Sequence, residues 1–83
     1  MPTEQRITPQ DHRRICRVLE MDGCYFVKQE GSHLKYRKEQ REDRTLTITV
    51  PRYKSIPVEV IKSILHQAKM SRERYLELLN KVR

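Results

Sequence analysis

Eighty-three residues, of which 36% are hydrophobic and 35% charged, suffice for one small core and one domain. Eighteen Lys and Arg outweigh eleven Asp and Glu, and the net charge of +7 points to a polyanionic partner, with solubility alone as the plainer reading. No apolar run approaches the roughly 18 residues of a membrane span, and the cations are not gathered on an apolar-faced helix. Residues 1–7 read as a flexible polar leader without a signal region, ahead of a domain over 8–83. The expected setting is therefore the cytoplasm, away from membranes. There Cys16 and Cys24 read as reduced thiols and small core residues rather than a disulfide.

Thr8-Pro9-Gln10-Asp11 predicts a helix start, with Thr8 as N-cap and Pro9 in the first helical position. Ile15, Val18 and Leu19 then recur at helical spacing, and Gly23 ends a helix running from about Pro9 to Met21. Cys24-Tyr25-Phe26-Val27-Lys28 is aromatic and β-branched and predicts a strand. Its alternation is poor: either Cys24 and Phe26 or Tyr25 and Val27 face the core.

Glu30-Gly31-Ser32 turns the chain into a second strand, roughly His33 to Arg37. Side chains alternate across a strand, so His33, Lys35 and Arg37 share one face while Leu34 and Tyr36 take the core side. An imidazole beside two fixed cations suits a surface that holds a phosphate and moves a proton next to it. Ser32 points away from His33, which argues against a Ser–His hydrolase pair.

A charged loop over Lys38 to Arg44 leads to Thr45-Leu46-Thr47-Ile48-Thr49-Val50, the clearest strand of the chain. Leu46, Ile48 and Val50 form its core face, its threonines look to solvent or ligand, and Pro51 ends it. Tyr53, between Arg52 and Lys54, is the better candidate for base stacking; Tyr36 is core by its phase with Leu34. A second helix opens near Pro57, with Val60, Ile61, Ile64, Leu65 and Ala68 as its stripe. Ser71 caps a final helix carrying Tyr75, Leu76, Leu78, Leu79 and Val82.

The order α-β-β-β-α-α predicts an α+β fold with helices on one face of a three-stranded antiparallel sheet. The opposite face stays free, and His33, Lys35, Arg37 and the threonines lie there. Lys28 joins them as a phosphate-binding candidate, as does Lys54. His12, Cys16 and Cys24 lack paired spacing and a fourth ligand, so no metal site is expected. No glycine-rich phosphate loop or paired catalytic carboxylates are present, and no small-molecule cofactor is expected.

Asp22-Gly23, Val27-Lys28-Gln29-Glu30-Gly31-Ser32-His33, Val50-Pro51 and Ile64-Leu65-His66-Gln67-Ala68 together resemble HicA-type toxins, also called the YcfA-like family. The likeness runs from about Asp11 to Leu79, and Gly31-Ser32-His33 is its specific part. It departs at Leu34, where many members carry a second histidine or a polar residue. The resemblance implies a double-stranded-RNA-binding-domain-like fold and an endoribonuclease that cleaves mRNA. It implies a HicB-type antitoxin as protein partner, His33 as catalytic residue, and Gly31 and Ser32 as the turn that presents it. Two other roles on the same fold compete with this one: a non-catalytic RNA-binding module and a partner-binding module.

Overall fold

Alternation in the third strand decides which way the sheet turns. In the computed structural model, which describes residues 6–82, Ile48 and Val50 are fully buried while Thr45 and Thr47 are exposed. The described elements are α1 (His12–Met21), β1 (Tyr25–Glu30), β2 (His33–Glu39), β3 (Thr45–Pro51), α2 (Val58–Ala68) and α3 (Arg72–Leu79). The strands pair antiparallel in the order β1-β2-β3. Their apolar face, centred on Tyr36, Ile48 and Val50, packs under α1 and α2, and α3 packs on α1. This is the expected α+β architecture with one sheet face left open. The residues of the expected leader below position 6 lie outside the described residues; Ile7 is half-buried against the core.

The first helix begins later than Thr8-Pro9 suggests. Gln10 and Ile56 exchange backbone hydrogen bonds of 3.3 and 2.7 Å, which keeps the approach to α1 extended. Asp11 then serves as N-cap, accepting from the Arg13 amide at 2.8 Å, while the Thr8 hydroxyl accepts from the Gln10 side chain. At the other end the Cys24 amide donates to Leu19 and the Gly23 amide to Glu20. This is the Schellman arrangement, and Gly23 takes the φ of 94° that it favours.

Two more boundaries shift for visible reasons. Val27 sits at a bulge between Phe26 and Lys28, which breaks the alternation of β1 and explains its ambiguous pattern. Cys24 is buried, and the register sets Phe26 beside Tyr36 with ring centroids 5.6 Å apart, but on this edge strand Phe26 stays 50% exposed, so of Cys24 and Phe26 only Cys24 enters the core. The charged loop is shorter than expected, because Lys38 and Glu39 continue β2 opposite Leu46 and Thr45. It closes through an Arg44-to-Arg41 backbone bond with Glu42 and Asp43 at φ 60° and 62°, the backbone of a type I′ turn.

The helices otherwise follow their stripes. Ile61, Ile64, Leu65 and Ala68 of α2 are buried and Val60 is half-buried. Ser71 caps α3, accepting from the Arg74 amide at 3.0 Å, and Val82 falls beyond that helix. The Asp22 carboxylate, 8% exposed, takes Lys38 at 2.7 Å and Arg74 at 3.1 Å, joining α3 to the sheet.

A cationic open face as candidate functional site

A two-residue loop, Gly31-Ser32, connects β1 to β2. Gly31 adopts φ 60°, the positive value that a II′ hairpin turn needs at its first central position. The turn is pinned from behind, since the Ser32 carbonyl accepts the Arg52 amide at 2.7 Å. His33, the first residue of β2, therefore leaves a fixed backbone and stands exposed, with Glu30 opposite it on β1 and Pro51 on β3.

From His33 the open face runs along β2 through Lys35 and Arg37. Lys35 faces Lys28 across β1 and Thr49 across β3; Arg37 faces Tyr25 and Thr47. The Lys35 ammonium donates to Thr49 Oγ1 at 3.1 Å and lies 4.0 Å from the Glu30 carboxylate. Lys28 pairs with the same carboxylate at 3.1 Å, and its hydrogen bond holds the Glu30 carboxyl below the usual range. Farther along, the Tyr25 hydroxyl donates to Glu39 at 2.6 Å, which raises its pKa.

Of the expected site residues, the structure brings His33, Lys28, Lys35 and Arg37 onto one surface beside the Gly31-Ser32 turn. Lys54 stands apart, exposed in the segment between β3 and α2. That segment starts at the turn's end of the sheet, where Arg52 meets Ser32. Tyr53 is exposed and its carbonyl accepts both the amide and Nδ1 of His12, each at 3.0 Å. Lys38 belongs to the basic stretch in sequence, yet its ammonium is spent on Asp22 behind the sheet. Glu30 is the residue that reading by charge overlooked. Pairing across the two-residue turn sets it opposite His33, and so on the same face.

The helix side carries a cleft of about 400 Å³ between α1 and β2, where Arg17 stands over Leu34 and Tyr36. The Tyr36 hydroxyl donates to Glu20 at 3.4 Å, and burial pushes the pKa of Tyr36 and of Cys16 upward. Cys24, also buried, is raised to about 11. No group of three His, Cys, Asp or Glu side chains among the described residues is placed to hold a metal ion. Nor is any helix among them long and apolar enough to cross a membrane.

The order α-β-β-β-α, a covered sheet face and an open basic one define a domain of double-stranded-RNA-binding-domain-like architecture. Residues 12–70 match the family model described as the HicA toxin of bacterial toxin-antitoxin. The chain belongs to the HicA toxin family, and with it to the toxins that pair with an antitoxin. The match spans α1 to Met70, so α3 lies beyond it. Neither the curated proteins nor the solved structures searched contain a match.

Proposed function

We propose that this toxin is a metal-independent endoribonuclease that cleaves mRNA, with His33 as its catalytic acid–base residue. The observation that carries the reading is the placement of one exposed imidazole at a rigid hairpin corner, on the same face as Lys28, Lys35 and Arg37. Imidazole changes protonation near neutrality and so both accepts and returns a proton at working pH. His33 takes the proton of a ribose 2′-hydroxyl as that oxygen attacks the adjacent phosphorus. The bond from phosphorus to the 5′ oxygen breaks, leaving a 2′,3′-cyclic phosphate. The departing 5′ oxygen takes up a proton from solvent, because no other histidine shares this face among the described residues. Lys28, Lys35 and Arg37 hold the phosphate and stabilise the charge that grows on it. Gly31 and Ser32 set the angle at which His33 meets the strand, and Lys54 extends the cationic surface beyond the sheet. The setting is the cytoplasm, and the partner is a HicB-type antitoxin that covers this face.

The test is cleavage of a labelled RNA in EDTA by wild type and His33→Ala, with the product ends mapped. Wild type should leave 5′-hydroxyl ends, and the variant should lose on the order of 10²-fold or more in rate while keeping its circular dichroism spectrum. Equal cleavage by both would remove His33 from the mechanism. Binding by both without cleavage would make the chain an RNA-binding module.

A further inference from the structure

Lys28 and Lys35 are direct Cα partners across β1 and β2. Like charges placed opposite each other in a sheet repel and destabilise the pair. The arrangement holds because an anion lies against both: the Glu30 carboxylate is 3.1 Å from the Lys28 ammonium and 4.0 Å from that of Lys35. Thr49 Oγ1 fixes Lys35 from the other side, and the Lys35 side chain is less exposed than those of Lys28 and Glu30. The residue directly opposite Glu30 is His33. A carboxylate oxygen and a phosphate oxygen have the same requirements of a lysine, namely negative charge and an acceptor for N–H.

We propose that Glu30 is an internal stand-in for the substrate's phosphodiester, occupying the Lys28–Lys35 pair in the free toxin and yielding it to an RNA phosphate on binding. The proposal rests on the endoribonuclease reading for the identity of the incoming anion. It assigns Lys28 and Lys35 as the phosphate subsite next to His33 and makes Glu30 a determinant of affinity. Weak phosphate contacts are refused because they must first displace a carboxylate attached to the same strand. The exchange is one anion for another and breaks no covalent bond.

The experiment measures binding of a fluorescein-labelled 2′-O-methyl oligoribonucleotide, which has no 2′-hydroxyl to attack, by anisotropy across a salt series. The proteins are wild type, Glu30→Gln, Glu59→Gln and the double variant Glu30→Gln/Lys35→Gln. Glu59 lies in the first turn of α2, so its variant removes the same charge away from the open face. Glu30→Gln should bind about fivefold tighter than wild type at low salt, the scale of one exposed ion pair. Its log K against log salt should steepen by about 0.7, the contribution of one single-strand phosphate. Glu59→Gln should stay within about twofold of wild type, since screening cuts off a distant charge, and Lys35→Gln should cancel the gain of Glu30→Gln. Wild-type binding with no more gain from Glu30→Gln than from Glu59→Gln would overturn this inference and leave the ribonuclease reading standing. Absence of binding by every protein would overturn both.

Discussion

Asp11 holds the start of α1 with its whole carboxylate: one oxygen accepts the Arg13 amide at 2.8 Å, the other the Arg13 guanidinium at 3.0 Å. The Arg13 hydrogen bonds bring its pKa from 3.8 down to about 2. A carboxyl whose folded value lies below its unfolded value stabilises the fold above the unfolded value and loses that contribution as pH falls. The window here is from about 4 to about 2. Asp11→Asn keeps an N-cap acceptor without the titration. Thermal melts should therefore show a shallower loss of Tm between pH 4 and 2 in Asp11→Asn than in wild type. An identical acid slope would mean that the cap carries no charge-dependent stability. The residue scale is also where sequence reading met its limit. His33, Lys35 and Arg37 were legible because β2 is unbroken and a period of two suffices to place them. Lys38 was not, because its role depends on Asp22, sixteen residues away in sequence and 2.7 Å away in space.

Among the elements, the β1–β2 hairpin matters most to function, since its corner aims His33. Gly31 is at φ 60°, and a Cβ there would meet nothing within 4 Å. Replacing it by Ala therefore costs only the backbone penalty of a positive φ, about 1–3 kcal/mol. Denaturant unfolding of Gly31→Ala should show a loss of that size, with cleavage reduced by more than stability alone explains because the corner relaxes. Full stability together with full activity would show that the corner does not need its positive φ. Element order and type were legible throughout, carried by the stripes of α1 and α2 and by the alternation of β3. Boundaries failed where pairing overrode local signals: Gln10 was drawn into a bridge with Ile56, and Lys38 and Glu39 were added to β2 by their partners on β3.

For the molecule as a whole, the charge of +7 is unevenly spread between used and unused cations. Lys38 and Arg74 are bound to Asp22, whereas Arg37 stands exposed on the open face. RNA binding by the cleavage-silent His33→Ala protein should weaken with salt, and each phosphate contact should add about −0.7 to the slope of log K on log salt. Arg37→Gln should flatten that slope by about one such contact, while Lys38→Gln leaves it unchanged. Anisotropy titrations at several salt concentrations make the comparison. Equal effects of the two substitutions would show that total charge, rather than this face, governs binding.

The sequence by itself determined the order of the elements, the core stripes, the turn at Gly31-Ser32 and the sharing of a face by His33, Lys35 and Arg37. These are local matters of periodicity and backbone conformation, settled within a few neighbours along the chain. Only the tertiary structure decided the rest: which lysines are free, which strand bulges, and that Glu30 lies between Lys28 and Lys35 across from His33. Those outcomes depend on strand register and on how far a charged side chain reaches across a pair, and neither is set until the strands meet.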